Sequence, residues 1–214
     1  MNSVVKQMFV VLILVGSLAG LVLAGSYKIT KPMIAQHKLE ELEQSIFEVL
    51  PDAKRYEQID SDAIRVYKGL RDTHNIAGYA FVATGPGFQG PIEMMVGIDA
   101  SLQKLLGMRV LAQSETPGLG AKIMYESFQG QFVNLTPNWL DTMRGGSAPD
   151  DAGKRKSAQA TENPEYIGYV KNVTPDKPND IQAITGATIS SAAVVTIINQ
   201  HLSTLQEVVG NEIQ

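Results

Sequence analysis

An uninterrupted apolar stretch near the N-terminus constrains the fold of this chain more than any other feature. Residues 8–27 form 20 consecutive uncharged and mostly apolar positions. At about 1.5 Å per residue, a helix of that length spans roughly 30 Å, the thickness of the hydrocarbon core of a bilayer. The sequence therefore predicts one membrane-spanning helix, with the rest of the chain outside the bilayer.

Two interpretations of this stretch remain open. Small residues at Ala24, Gly25 and Ser26 would suit a cleavage site, which is typical of a signal peptide. The apolar run is long for the hydrophobic part of a signal peptide, and its length favours a retained anchor. The prediction is therefore a single-pass anchor in contact with membrane lipid.

Composition narrows the function of the remainder of the 214-residue chain. The formal net charge of −4 gives no reason to propose nucleic acid as a partner. The sequence contains no cysteine, which excludes a disulfide framework, iron–sulfur ligation and a thiol nucleophile within this chain. Because no cluster has the spacing of a metal site, neither metal ligands nor catalytic residues are predicted. The histidines are scattered, at His37, His74 and His201.

Hydrophobic periodicity predicts helices combined with a series of adjacent strands. Residues 34–50 carry an apolar stripe typical of an amphipathic helix, which Pro51 ends. A helix or helical turn is also predicted over 121–132. Short connections between neighbouring strands favour an antiparallel meander, so the predicted fold class is α+β, with helices packed on the sheet. The predicted strands are 64–67, 77–83, 91–98, 105–112 and 166–173.

A glycine-rich loop lies between the second and third of these strands. Gly85, Gly87 and Gly90 have the spacing of a dinucleotide-binding fingerprint. That fingerprint requires a helix immediately after it, whereas residues 91–98 are typical of a strand. We therefore interpret this segment as a connection between strands.

Two further features lie in the second half of the chain. Residues 143–166 are polar, with several glycines and charges of both signs, which predicts a long solvent-exposed loop. Trp139 is the only tryptophan. It could stack near a ligand, but a lone tryptophan is more typical of a core or edge anchor.

A hydroxyl-rich turn between a strand and a helix is the first candidate for a functional site. The strand is predicted at 181–184, and apolar residues at steps of three and four predict an amphipathic helix over 190–209. Gly186 permits a sharp turn, and Ala187 adds little bulk.

The start of that helix could hold an anion. Thr188, Ser190 and Ser191 lie where helix N-caps are found. A helix N-terminus has free N–H groups and a partial positive charge, so it suits a phosphate. By itself, this pattern is also typical of ordinary helix caps.

The second candidate is the loop that follows the strand at 105–112. Glu115 and Thr116 place a carboxylate and a hydroxyl before a turn at Gly118. Gly120 permits another unusual backbone angle or a close approach. Alone, the loop would be interpreted as an ordinary surface loop.

These two segments together resemble a known family. Thr-Gly-Ala-Thr-x-Ser-Ser at 185–191 and Glu-Thr-Pro-Gly-Leu-Gly at 115–120 resemble motifs of the FMN-binding subunits of Rnf and Nqr electron-transport complexes. The Gly-Pro-Ile and Val-Gly-Ile-Asp segments within 88–112 resemble the Rnf G subunit in particular. Two positions depart from the family pattern: Gln182 stands where relatives commonly have Asp, and Gln113 where they often have His.

The resemblance implies a covalent flavoprotein. A dedicated flavin transferase would attach FMN to Thr188 through a phosphoester, which makes the chain a phosphoprotein in the chemical sense. The other cofactor-binding residues would be Thr185, Gly186, Ala187, Glu115, Thr116, Gly118, Leu119 and Gly120. The implied domains are an anchor at 1–28, a helical connector at 29–62 and a single FMN-binding domain at 63–214.

The resemblance also implies a role and a location. The chain would be an electron-transfer subunit, without independent turnover, of an Rnf-type ferredoxin:NAD ion-translocating oxidoreductase in the bacterial inner membrane. Its partners would be the other membrane subunits of that complex. The FMN domain would face the periplasm, whereas the lysines after the span would place it in the cytoplasm by the positive-inside rule. Two alternatives are the C subunit of an Nqr-type NADH:quinone reductase and an extracytoplasmic binding or assembly module that carries no flavin.

Overall fold

The computed structural model describes residues 3–73, 75–138 and 166–212. The chain divides into two compact units, Met1–Glu43 and Gln44–Gln214. Outside the described residues lie His74, Trp139 and most of the polar loop predicted at 143–166.

The first unit consists of the N-terminal part of helix α1, Ser3–Val49. Its apolar side chains are exposed, among them Leu12, Leu21 and Leu23. This helix is long and apolar enough to cross a membrane. The helix predicted over the apolar stretch is confirmed, whereas its crossing of a membrane stays a prediction. The helices predicted separately at 8–27 and 34–50 are one continuous helix, whose last residue, Val49, agrees with the predicted end at Pro51.

The second unit is built on a five-stranded antiparallel sheet in which every strand pairs with its neighbour in sequence. This is the predicted meander, because each connection is a hairpin or a short loop. Its first strand has no counterpart among the strands predicted from the sequence. The strands are β1 Arg55–Ile59, β2 Val66–Leu70, β3 Ile76–Pro86, β4 Pro91–Asp99 and β5 Leu105–Ala112.

The hairpin between β3 and β4 explains the glycine-rich loop. The two strands pair from Gly78 opposite Asp99 to Pro86 opposite Pro91. The turn is closed by the N–H of Gly87, which donates to the carbonyl of Gly90 at 2.8 Å. The loop therefore connects two strands, as predicted, and a strand rather than a helix follows it.

Short helical turns and a parallel pair of strands complete the fold. Three short helical segments follow β5: a 3-10 helix at Gly120–Met124, α2 at Glu126–Gln129 and a second 3-10 helix at Gly130–Phe132. They correspond to the helical turns predicted at 121–132. Strands β6, Gly168–Lys171, and β7, Asp180–Ala183, pair in parallel.

The last helix, α3 at Thr188–Glu212, supplies one side of the core. Its predicted apolar stripe is buried, and it packs with the inner face of the sheet, including Phe81 and Met94. Burying each such side chain contributes about 1.5–3 kcal/mol, so this face fixes how the helix lies on its own domain. The stripe consists of Val194, Ile198, Leu202, Leu205 and Val209.

Two side-chain amides hold the parallel strands in place. Buried Asn199 of α3 accepts from the N–H of Ile167 and donates to its carbonyl, both at 2.9 Å. Gln131 does the same at the edge of β7, where it accepts from the N–H of Gln182 at 2.7 Å and donates to its carbonyl at 3.2 Å. These bonds satisfy backbone groups that lack a neighbouring strand, so the turn after β7 starts from a fixed position.

Candidate functional site

The turn between β7 and α3 is tight and depends on a glycine. The N–H of Ala187 donates to the carbonyl of Ile184 at 2.9 Å. Gly186 has φ of +83°, in the left-handed region where a Cβ is unfavourable. The turn delivers the chain directly to Thr188, the first residue of α3.

The predicted helix caps are corrected by the structure. Helix α3 begins at Thr188, so Thr188 is its first helical residue, and Ser190 and Ser191 lie inside its first turn. None of the three is the N-cap, a position that Ala187 occupies, with its carbonyl accepting from the N–H of Ser191 at 3.1 Å. Both serines are buried, and both hydroxyls bond within the protein. Ser191 Oγ accepts from the N–H of Ile184 at 3.0 Å and donates to the carbonyl of Ala187 at 3.1 Å, which holds the turn. Ser190 Oγ donates to the carboxylate of Glu115.

Glu115 connects the second motif to the first. Its side chain is only 4% exposed. Oε1 accepts from the N–H of Phe88 at 2.7 Å and from that of Gln89 at 3.0 Å, and Oε2 accepts from Ser190 Oγ. One carboxylate therefore joins the β3–β4 loop, the loop after β5 and the start of α3.

The three segments joined by Glu115 form the wall of a shallow pocket of about 180 Å³. Of the nine predicted site residues, seven line it, while Thr185 and Gly118 do not. Thr188 lines it and is half-buried. The lining residues are Phe88, Glu115, Thr116, Leu119, Gly120, Gly186, Ala187, Thr188, Ile189 and Ser190.

The two remaining predicted residues occupy separate positions. Gly118 has φ of +76°, and nothing lies within 4 Å of the position of a Cβ, so it serves the backbone conformation of the loop. Thr185 is exposed and donates to Asn172 Oδ1 at 3.2 Å. It lines a neighbouring pocket of about 250 Å³ that also includes Lys122 and Gln182.

The pocket combines apolar walls with a polar corner. Phe88 is 60% exposed, Leu119 48% and Ile189 61%. Exposed side chains of this size around a recess mark a surface that can bind a flat apolar group. The polar corner is the start of α3, whose unpaired N–H groups and partial positive charge favour an anion beside the Thr188 hydroxyl.

Sequence reasoning missed three lining residues. Phe88 lies in the loop between β3 and β4, which the glycine spacing led us to interpret only as a connection between strands. An exposed aromatic residue within a glycine-rich turn is nevertheless a signal for binding. Ile189 is a large apolar residue in the first turn of α3 that lies outside the buried stripe, which was visible in the helical periodicity. Ser190 had no local signal for its contact, because its partner Glu115 is 75 residues away.

The size of the pocket limits what it can enclose. Pockets that bury a small molecule almost completely measure about 300–1,000 Å³, so this recess would cover only part of a larger group. Within the described residues, no group of three or more histidine or acidic side chains is arranged to hold a metal ion.

The fold and this site define an α+β domain, preceded by a long apolar helix, in which a helix N-terminus and two motif loops surround one recess. Residues 87–203 match the family described as FMN-binding domain, a range that covers both motif loops and the start of α3. The crystal structure of NqrC from Shewanella oneidensis is similar in fold, with a TM-score of 0.50 and 16% identity, over 72% of this chain and 67% of that one.

Curated relatives are similar over most of the chain. The G subunit of the ion-translocating oxidoreductase complex of Methanosarcina acetivorans is 31% identical over 165 residues, which cover 73% of this chain and 88% of that protein. The G subunit of the Na(+)-translocating ferredoxin:NAD(+) oxidoreductase complex of Acetobacterium woodii is 27% identical over 222 residues, 95% of this chain and 93% of that protein. The chain therefore belongs to the FMN-binding domain family and, within it, to the G subunits of ion-translocating oxidoreductase complexes.

Proposed function

We propose that this chain carries FMN covalently on Thr188 and transfers electrons within an Rnf-type ferredoxin:NAD oxidoreductase complex. The observation that carries the proposal is the position of Thr188. It is the first residue of a 25-residue helix, it lines the recess, and it belongs to the motif whose resemblance implies a phosphoester.

The residues present fit FMN as a ligand. A phosphate on Thr188 Oγ would lie at the start of α3, where the helix dipole and free N–H groups stabilise negative charge by about 0.3–1 kcal/mol per interaction. The exposed side chains of Phe88, Leu119 and Ile189 would cover the apolar faces of an aromatic ring system. When bound, the flavin supplies the redox chemistry, and the protein positions it and sets its electrostatic surroundings.

The limited depth of the recess supports electron transfer rather than turnover of a substrate. A group that is only partly covered by this chain can be reached by a redox partner. The protein groups around the recess are a carboxylate, hydroxyls and apolar side chains, and we assign none of them to acid–base catalysis. The partners would be the other membrane subunits of the complex, with a flavin transferase acting during maturation.

Location and domain division are part of the same proposal. Residues 1–28 would anchor the chain in the inner membrane, 29–62 would connect, and 63–214 would form the FMN-binding domain on the periplasmic side. Strand β1, Arg55–Ile59, lies within the proposed connector and already pairs with β2. We therefore expect the folded domain to require residues from Gln44 onward, the start of the second compact unit.

The proposal is tested by making the protein with and without a flavin transferase. Protein made with the enzyme should remain yellow and fluorescent on a denaturing gel, and should be heavier by one FMN minus one water. Protein made without the enzyme should show neither property. A colourless, unmodified protein from a host with a competent transferase would favour the binding or assembly module that carries no flavin.

A further inference from the structure

We propose that Glu115 is the positioning residue of the site. Its carboxylate holds the β3–β4 loop against the start of α3, and this contact fixes the position of Phe88 in the wall of the recess. Glu115 acts through protein groups, although it lines the recess. The inference deepens the proposed function and rests on it where the flavin is the readout.

The hydrogen bonds of the carboxylate carry the first step. Oε1 accepts from two consecutive backbone N–H groups, those of Phe88 and Gln89, at 2.7 and 3.0 Å. Oε2 accepts from Ser190 Oγ. Both oxygens are engaged with protein donors, in a side chain that is 4% exposed. A buried carboxylate is stable only with such donors, so the three segments hold one another in place.

Two glycines show how tightly the chain packs around this carboxylate. A Cβ on Gly120 would lie 2.6 Å from Glu115 Oε2 and 2.6 Å from Ser190 Oγ. A Cβ on Gly87 would lie closer still to Glu115 Oε1. A Cβ at either distance would force the carboxylate to shift, so glycine at both positions allows these bonds to form without displacement. The second glycine of the Gly85–Gly90 spacing is thereby explained.

The consequence for the recess concerns Phe88. Its backbone N–H is fixed by Glu115, while its side chain is 60% exposed and lines the recess. A loop tip that carries an exposed aromatic ring would otherwise sample several positions. The carboxylate therefore converts a mobile loop tip into a defined wall.

The electrostatic surroundings of Glu115 agree with its role in holding the β3–β4 loop against α3. Among the ion pairs within the described residues, none involves Glu115, so its charge is balanced by N–H and O–H dipoles. The nearby start of α3 adds a partial positive charge of the favourable sign. Removing a single donor leaves this buried charge poorly solvated, which makes the position of the loop sensitive to each partner.

The first test uses the unloaded protein and needs no flavin. Amide hydrogen exchange is measured by NMR for Phe88 and Gln89. Glu115→Ala should raise both exchange rates about 10- to 150-fold, the factor that corresponds to losing one charge-assisted bond. Glu115→Gln keeps an accepting oxygen and should raise them less. Ser190→Ala should also raise them, because it removes the other partner of the carboxylate.

Ser191→Ala is the matched control. Ser191 is the next residue, is equally buried and bonds only to Ile184 and Ala187 among its described partners. Its substitution should leave the exchange of Phe88 and Gln89 unchanged. Equal effects of Ser190→Ala and Ser191→Ala would overturn the inference, as would wild-type exchange rates in Glu115→Ala.

The second test uses the flavin-loaded protein and separates the two proposals. Intact mass reports whether FMN is attached, which tests the proposed function alone. In loaded protein, iodide should quench the flavin fluorescence more strongly in Glu115→Ala than in wild type, and Glu115→Gln should restore most of the protection. Attached flavin with the same quenching in all three proteins would overturn the role of Glu115 and leave the proposed function standing.

Discussion

At the scale of single residues, two glycines of one loop are required for different physical reasons. Gly118 has φ of +76° and open space around the position of a Cβ, so only its backbone conformation excludes other residues. Gly120 has an ordinary φ but no room, because Glu115 and Ser190 lie against it. The motif thus combines a turn with a close approach of two segments.

A matched pair of substitutions separates these reasons. Gly118→Ala should lower the free energy of unfolding by about 1–2 kcal/mol through backbone strain and leave the Glu115–Ser190 bond intact. Gly120→Ala should cost about 1–3 kcal/mol through overpacking and also displace that bond. Urea denaturation gives the stabilities, and the absorption spectrum of the loaded protein reports the site. A spectral change in Gly118→Ala as large as that in Gly120→Ala would contradict the distinction.

The backbone conformation at these positions was predictable from the sequence, whereas the hydrogen-bond partners of the side chains were not. The positive φ of Gly186 and Gly118 follows from turn chemistry, and both motif loops were located from their residues. The bond from Ser190 to Glu115 spans 75 positions and has no local pattern that announces it. For the same reason, the sequence pattern of Ser190 and Ser191 predicts helix caps, whereas each hydroxyl serves a neighbouring segment.

At the scale of elements, the strands with a regular apolar pattern and the last helix were predicted to within a few residues. Strand β5 was predicted with its observed bounds, and the buried stripe of α3 was identified in full. Strand β1 was missed because its sequence, Arg-Tyr-Glu-Gln-Ile, lies at the edge of the sheet and is mostly exposed. An edge strand without a buried face has no alternating apolar pattern to detect.

The attachment of β6 to α3 gives a prediction at this scale. Asn199 is 6% exposed and satisfies both backbone groups of Ile167. Asn199→Leu should leave a buried N–H and a buried carbonyl without partners, at a cost of about 2–4 kcal/mol in the free energy of unfolding. Chemical denaturation measures this loss, with exposed Gln200→Leu as the control that should change stability by less than about 0.5 kcal/mol. Equal stability of the two variants would contradict the role of Asn199.

Helix α1 gives a second prediction for an element. If residues 8–27 span the bilayer, they must remain in the mature protein. Peptide mapping of protein extracted from membranes with detergent should recover peptides from this stretch. A mature N-terminus at Gly25 or Ser26 would instead identify the stretch as a signal peptide.

At the scale of the whole molecule, two signals disagree about the side of the membrane on which the second unit lies. The lysines that follow the span favour the cytoplasm, at Lys28, Lys31 and Lys38. Membership in the family of G subunits leads us to propose the periplasm. The positive-inside rule is a statistical bias rather than a physical requirement, so three lysines after one span do not by themselves fix its orientation.

Protease accessibility decides between these orientations. Protease added to intact spheroplasts should degrade the domain formed by the second unit, and a cytoplasmic marker protein should remain intact in the same sample. Protection of the domain until the cells are lysed would place it in the cytoplasm. It would also require electron exchange on that side.

The central claim is that Thr188, and no other hydroxyl of its motif, carries the flavin. The direct measurement is the intact mass of wild type, Thr188→Ala and Thr185→Ala, each made with a flavin transferase and each shown to fold. Wild type should be heavier by one FMN minus water, and Thr188→Ala should lose that mass because it lacks the acceptor hydroxyl. The variant should still fold, since Thr188 is half-buried rather than part of the core. Thr185→Ala keeps the acceptor hydroxyl and should retain the mass, in full or in part. Flavin that persists on Thr188→Ala, or that maps to Thr185, Ser190 or Ser191, would contradict the assignment.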